Sequence, residues 1–269
     1  MQLTGPGVWG PPTDPEGART VLRRAVELGI NFLDTADVYG PGDNEQLIFE
    51  ALHPYPSDLV IATKAGMVRS GPATRENPGI SMNGTAEHIR HAVEGSLRRL
   101  RVERIDLYQL HRIDPATPIE ETMGVFRALQ DEGKIRHIGL SEVGVDDIER
   151  ARAVVDIATV QNVYNLGVRR HDPVLAHCEA NGIGFIPFWP LHIETVAASP
   201  VLADIAAEVG ATTSQVALAW LLRKSRVTIL IPGTSSVAHL EENVAAAGVE
   251  LSEAQMLALD GLEGVVRAA

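Results

Sequence analysis

Four residues in the first half of the chain have the types and spacing to move a proton: Asp34, Tyr39, Lys64 and His111. The stretch NFLDTADVYG (31–40) enters through apolar Phe32 and Leu33, delivers Asp34, and reaches Tyr39 five positions later. Lys64 closes the apolar run LVIATK, and His111 closes RIDLYQLH. An ammonium carried to the end of an apolar run is costly without a counter-charge. Lys64 therefore calls for a carboxylate, and Asp34 is the nearest candidate. A tyrosine beside such a pair is a competent proton donor, because a neighbouring cation favours the phenolate. A neutral imidazole beside it can orient a carbonyl oxygen between the two rings. Each residue also has a plainer reading: a surface loop holds polar groups at no cost, and a tyrosine after a strand is usually a capping aromatic. The elements that carry them decide between the two.

Those elements follow a recurring order in which an amphipathic helix stops at glycine and an apolar strand begins at once. RTVLRRAVELG precedes INFLDTA, GVFRALQDEG precedes KIRHIGLSE, and VLAHCEANG precedes IGFIPFWP. Gly29, Gly133 and Gly182 stand where a left-handed residue closes each helix. In TAEHIRHAVEGSLRRL, Thr85 is the expected N-cap and Ile89, Val93, Leu97 and Leu100 align on one face. DLVIATK, RIDLYQLH, DIATVQN and VTILIPG complete a set of seven strands, with residues 1–4 as the end of an eighth. Alternation of this kind builds a parallel sheet. No G-x-G-x-x-G follows any strand, which counts against a dinucleotide-binding doubly wound sheet. The expectation is an α/β fold, a (β/α)8 TIM barrel with its first strand apparently truncated, as one domain over 1–269. A chain that starts inside strand one would begin at an internal start or in a shortened form of a longer sequence.

Barrel chemistry lies at the carboxyl ends of the strands. Those ends read Asp34, Lys64, His111, Ser141, Gln161, Phe188 and Gly233, and five of the seven are polar directly after residues that should be core. Asp-x4-Tyr followed by Lys and His at successive strand ends resembles the tetrad of the aldo-keto reductases. NFLDTADVYG, IATK, LYQLH, GLSE, VQNVYN and IPGTSSVAHLEEN fall in that family's order and cover nearly the whole chain. MQLTGPGVWGPP with IPGTSSVAHLEEN is most similar to a bacterial subgroup that includes pyridoxal reductases. The resemblance implies that Tyr39 is the general acid, that Lys64 and Asp34 tune it, and that His111 positions the substrate. It further implies NADPH, with NADH as the alternative, held by Ser141, Gln161, Phe188, Leu191, Gly233, Thr234, Ser235, Ser236, His239, Glu242 and Asn243. Ser141 and Gln161 would contact the nicotinamide carboxamide, Phe188 would stack on the ring, and Glu242 and Asn243 would meet the adenine.

Several positions depart from that family's pattern. Ser141 is followed by Glu142 where the family usually has Asn. Phe188 stands where many members have Tyr, and His239 stands where an arginine usually grips the 2′-phosphate. Thr234, Ser235 and Ser236 also have a reading of their own, as hydroxyls and N–H groups at a helix N-terminus suited to an anion. Trp9 and Trp189 fall in loops at the expected mouth, where they wall an aromatic substrate or simply pack. Trp220 in VALAWLL reads as core, Asp37 as a loop carboxylate without a chemical role, and His88, His91, His171 and His177 as solvated or satisfied helix residues.

Composition narrows the function classes. The chain has 269 residues, 45% hydrophobic and 22% charged, and 23 Lys+Arg against 35 Asp+Glu give a net charge of −12. That balance lacks the basic footprint of a nucleic-acid or anionic-membrane partner. No apolar run reaches the roughly 20 residues of a membrane span, and the N-terminus shows no signal peptide. The lone Cys178 reads as a small buried hydrophobe and fits a reducing cytoplasm. The leading function is an NADPH-dependent oxidoreductase that reduces an aldehyde or ketone, pyridoxal or another aromatic aldehyde among them, by direct hydride transfer. A catalytically silent nicotinamide-binding regulatory protein is the alternative. A metal hydrolase built on Asp34, Asp37 and His111 lacks the paired histidines it needs and leaves Lys64 and Tyr39 without a role, so no metal is expected.

Overall fold

The computed structural model describes residues 3–74, 77, 79–192 and 198–262. They form two compact units, Met1–Thr159 with Thr234–Val237, and Val160–Gly233 with Ala238–Ala269.

The first unit runs α1 (Pro15–Glu27), β1 (Phe32–Asp34), α2 (Asp43–Leu52), β2 (Val60–Ala65), β3 (Met67–Arg69), β4 (Ile80–Met82), α3 (Ala86–Leu100), β5 (Ile105–Leu110), α4 (Ile119–Asp131), β6 (Ile135–Ser141) and α5 (Val145–Arg152). Local chemistry sets the helix ends. The Asp14 carboxylate accepts the Gly17 N–H at 2.9 Å, with Pro15 fixing φ in the first turn. The Thr85 hydroxyl accepts the His88 N–H at 3.4 Å to open α3, and Gly29 takes φ 85° where the chain leaves α1. Ala18 and Leu22 of α1 pack with Leu33, Leu47, Ile48, Ile61 and Leu100 in one core, and Leu3 plugs it from the N-terminal side. Each fully buried leucine stabilises this layer by about 2 kcal/mol.

Strands β1, β2, β5 and β6 lie side by side and parallel. Asp34 pairs with Ala62 and Lys64 with Gln109, so the polar residues gather at one end of the sheet. An antiparallel hairpin, β3 with β4, was not anticipated from the sequence. Its three-residue strands are separated by the sequence SGPATRENPG and carry too little alternation to be read. Ile80 and Met82 of that hairpin pack, together with Tyr39, against Ala36, Val38 and Met67.

The second unit contains β7 (Thr159–Val163, all but its first residue), α6 (Asp172–Asn181), β8 (Gly184–Phe188), α7 (Pro200–Val209), α8 (Thr213–Lys224), α9 (Val237–Ala245, all but its first residue) and α10 (Glu253–Asp260). Strands β7 and β8 are neighbours. Trp220 is core, as expected, stacked on Tyr164 at 5.9 Å, and its indole N–H donates to Asp260 Oδ1 at 2.9 Å. Among the described residues no single helix is long and apolar enough to cross a membrane. Helices α7 and α8 reach the length only as a pair bent by 88°, and their large apolar residues Leu202, Ile205 and Trp220 are buried.

Three sequence expectations are corrected. VTILIPG (227–233) is not a strand: Phe185 brackets Thr228 in a single parallel bridge, accepting from Ile229 N–H and donating to Val227 O, each at 2.8 Å. A ladder needs repeated pairs, and beyond Thr228 the segment is half-buried or exposed rather than covered. Of the expected strand-one fragment, Met1 and Gln2 lie outside the described residues, while Leu3 and Thr4 are not strand. Leu3 is apolar because it fills the core, which mimics a strand residue in sequence. His171 lies not in a helix but just before α6, where its Nδ1 contacts the Asn162 amide at 3.0 Å.

Candidate active site

The polar end of the first unit's sheet is built around Lys64. Its ammonium is fully buried and donates to Asp34 Oδ2 at 2.5 Å and to the Thr35 carbonyl at 2.7 Å. Asp34 in turn accepts from the Gln109 amide at 3.0 Å through Oδ1. Gln109 has room to reach across because β6 carries Gly139 beside it, where a Cβ would sit 2.9 Å from Gln109 Cγ. Beneath this pair lies a second fixed charge. Glu45, fully buried, accepts from Thr63 at 2.6 Å and from Arg99 Nε at 2.7 Å, while Asn44 donates to the Thr35 hydroxyl at 2.7 Å. The Lys64 carboxylate and carbonyl partners are thus themselves held.

Tyr39 lies over Lys64, with the ammonium 5.4 Å from its ring centroid. Its backbone is pinned in a turn, donating to Ala36 O at 3.1 Å and accepting from Asn44 N–H at 3.2 Å. His111 follows β5 directly and meets the Tyr39 ring edge-on, with centroids 5.9 Å apart. Burial, then the nearby Lys64, Arg112 and Arg69 cations, hold the imidazole well below the ordinary histidine range, so it is neutral. His111 Nδ1 is shielded and has no hydrogen-bond partner among the described residues. With the proton on Nε2, the shielded Nδ1 is left as an acceptor rather than as an orphan donor. The four residues first singled out for proton chemistry are therefore neighbours.

Four of the cofactor candidates, Ser141 and Thr234 to Ser236, belong to the same unit. Ser141 ends β6, buried, and its hydroxyl accepts from Arg112 Nη1 at 2.8 Å; the same nitrogen donates to His111 O at 2.6 Å. Glu142 adopts φ 55°, a left-handed conformation that suits the Asn expected by resemblance better than a glutamate. Thr234, Ser235 and Ser236 directly precede α9, where the Thr234 hydroxyl accepts the Ser236 N–H at 3.1 Å. Trp9 is exposed in the loop that follows a short 3-10 turn (Pro6–Val8).

The remaining candidates belong to the second unit. Gln161 is buried within β7, and Phe188 ends β8 with its ring edge-on to Trp189 at 5.4 Å. Trp189 is exposed at φ 53°, its carbonyl accepting from Asn165 Nδ2 at 3.0 Å. Leu191 lies half-buried in the turn beyond it, and Gly233 is exposed outside any strand, not at the strand end the sequence suggested. His239, Glu242 and Asn243 lie on α9. The Glu242 carboxylate accepts from the Thr212 hydroxyl at 2.6 Å.

Sequence reasoning missed Gln109, Arg112 and Glu45. Gln109 had a signal, since it shares a face with His111 two residues on. Arg112 and Glu45 had none, because their roles depend on what crosses over from other elements. Asp37, read as an idle loop carboxylate, is half-buried with Oδ1 shielded and unpartnered. Burial and then Glu45 push its carboxyl up to about 8.

The chain matches the family model "Aldo/keto reductase family" over residues 1–263. It is 47% identical over 261 residues to an uncharacterized oxidoreductase of Schizosaccharomyces pombe, covering 97% of this chain and 83% of that one. It is 44% identical over 268 residues to pyridoxine 4-dehydrogenase of Escherichia coli, covering 97% and 92%. A crystal structure of an aldo-keto reductase from Klebsiella pneumoniae in complex with NADPH superposes with TM-score 0.80 at 26% identity, covering 97% of this chain and 88% of that one. The fold class is that of these proteins, the α/β (β/α)8 barrel.

Proposed function

The chain belongs to the aldo/keto reductase family, and from that premise we propose that it reduces an aldehyde or ketone to the alcohol with NADPH. Pyridoxal or another aromatic aldehyde is the substrate class. The observation that carries the reading is the sealed Lys64–Asp34 pair under the Tyr39 ring, with a neutral His111 at its edge.

In this reading the carbonyl oxygen lies between the Tyr39 hydroxyl and His111 Nε2. Tyr39 gives its proton to that oxygen as the carbonyl carbon is reduced, and the Lys64 ammonium stabilises the phenolate left behind. Asp34 holds Lys64 in place, so that the ammonium does not have to reorganise at the moment of transfer. His111 is a donor at working pH without competing as an acid, because its imidazole is already neutral. The bound dihydronicotinamide supplies the hydride.

The residues present fit that group. Ser141 is buried with its hydroxyl oxygen already accepting from Arg112, which leaves its own proton for a carboxamide oxygen. By the family resemblance, Gln161, Phe188, Leu191 and Gly233 are proposed to serve the nicotinamide. Thr234, Ser235 and Ser236 offer hydroxyls and N–H groups at a helix N-terminus to the 2′-phosphate, which favours NADPH over NADH. His239, Glu242 and Asn243 extend that contact along α9. Trp9 and Trp189 are the exposed aromatic residues proposed to meet an aromatic substrate. Similarity to the E. coli pyridoxine 4-dehydrogenase supports a pyridoxal-type substrate.

The test is loss of NADPH absorbance with purified protein and a panel of carbonyl compounds that includes pyridoxal. Consumption with at least one aromatic aldehyde is expected, faster than with NADH. His239→Arg, which supplies a permanent charge, should widen the NADPH preference. NADPH binding without consumption across the panel would instead favour the silent regulatory reading.

A further inference from the structure

Arg112 ties two parts of the site together. Its Nη1 donates to the Ser141 hydroxyl at 2.8 Å and to the carbonyl of His111 at 2.6 Å, and both Glu142 and Tyr39 lie within range of its charge. Guanidinium only donates, so the Ser141 oxygen must be the acceptor in this bond. The hydroxyl proton is thereby turned away from Arg112, and among the described residues no acceptor for it is present. An unconstrained serine hydroxyl can rotate and act as donor or acceptor. Here one rotational choice has been removed.

We propose that Arg112 is a positioning residue that locks Ser141 as a hydrogen-bond donor and so fixes the orientation of the cofactor's carboxamide. A carboxamide presents one acceptor oxygen and one donor nitrogen. With one lone pair taken by Arg112 and its proton turned into the site, Ser141 favours the oxygen end over the flipped amide, whose nitrogen would meet that proton donor to donor. Turning the nicotinamide over about its glycosidic bond would carry the carboxamide away from Ser141, so a firm hold at Ser141 also sets which face of the ring meets the substrate. By holding His111 O with the same nitrogen, Arg112 ties this choice to the end of β5, where His111 stands. Glu142 contributes a counter-charge, and its left-handed backbone keeps the chain close to Arg112 just past Ser141. The usual Asn at that position would lack this charge.

The inference rests on the carbonyl-reductase reading, and the experiment separates the two. NADPH affinity is measured by quenching of tryptophan fluorescence, independently of turnover, for wild type, Arg112→Met, Ser141→Ala and the double variant. Facial selectivity is measured from deuteride transfer with the two C4-deuterated forms of NADPH. Arg112→Met should bind NADPH about tenfold more weakly and should lose strict selectivity between the two faces. In the Ser141→Ala background the same substitution should have little further effect, because the bond it breaks is already gone. Arg112→Lys, which keeps one donor, should restore much of the selectivity, and Arg112→Leu, which also removes the donor, takes the place of Arg112→Met if that variant fails to fold. A lesion that only loosened the fold would lower the melting temperature without changing the deuterium ratio. Wild-type affinity and selectivity in a folded Arg112→Met, or an undiminished effect on top of Ser141→Ala, would overturn the proposal. Should wild type bind NADPH but reduce nothing, the reductase reading falls while the affinity cycle still decides this one. No NADPH binding by wild type overturns both.

Discussion

Lys64 Nζ lies 2.5 Å from Asp34 Oδ2, and both side chains are closed to solvent. Two charges in that position hold each other, and neither has water to fall back on. Asp34→Asn would leave a buried ammonium with only neutral partners, at a cost of about 3 kcal/mol. Chemical denaturation should show that loss, and Asp34→Asn with Lys64→Met should recover much of it, since no charge then remains buried. A single variant as stable as wild type would mean that the pair contributes nothing to stability.

Tyr39 can be separated from the framework beneath it. Its hydroxyl is the only group removed by Tyr39→Phe, while the ring packing on Ala36, Val38 and Met67 survives. Carbonyl reduction should fall by at least about 100-fold, the loss expected of a general acid, with NADPH affinity nearly unchanged. Near-normal turnover in this variant would remove Tyr39 from the role.

The neighbourhood of Lys64 and Asp34 could be read because each residue ends an apolar run, and a charge there has few places to go. The helix caps were legible for a similar reason: Thr85 and Gly29 act within one turn of themselves. What could not be read depends on register or on approach from elsewhere. Gln109 faces Asp34 only because β2 and β5 pair Lys64 with Gln109, and Gly139 leaves the space. Arg112 follows a motif residue and looks like ordinary loop polarity until its bond to Ser141 is seen. The misread strand, 227–233, shows the converse. An apolar run has the same pattern whether it forms a ladder or a single bridge.

Asp37 gives a pH signature of stability. Its native carboxyl, pushed up to about 8, keeps its proton while the unfolded chain releases one near the ordinary value of about 4. Between those limits the unfolded state binds fewer protons, so stability falls as pH rises and levels off above the native value. Half-burial limits the effect to the order of 2 kcal/mol. Asp37→Asn, which cannot ionise, should therefore raise the melting temperature more at about pH 8 than at about pH 5. An equal shift at both would mean that the carboxyl ionises normally.

His111 gives the opposite slope, over a lower window. Its native form stays neutral well below the ordinary histidine range, first because it is buried and then because Lys64, Arg112 and Arg69 surround it with positive charge. The unfolded chain takes up a proton near about 6.5. Below that value the unfolded state binds more protons, so stability is lost as pH falls and is fully present above it. His111→Gln should remove this part of the acid sensitivity and flatten the stability profile below about pH 6.5. The same cause predicts the shape of the rate profile. If His111 acts as a neutral donor, kcat/KM should show no acid limb near about 6.5, because the free enzyme's imidazole does not titrate there. A limb at that position that disappeared in His111→Gln would show the imidazole ionising normally, and the neutral-donor role would fall with it.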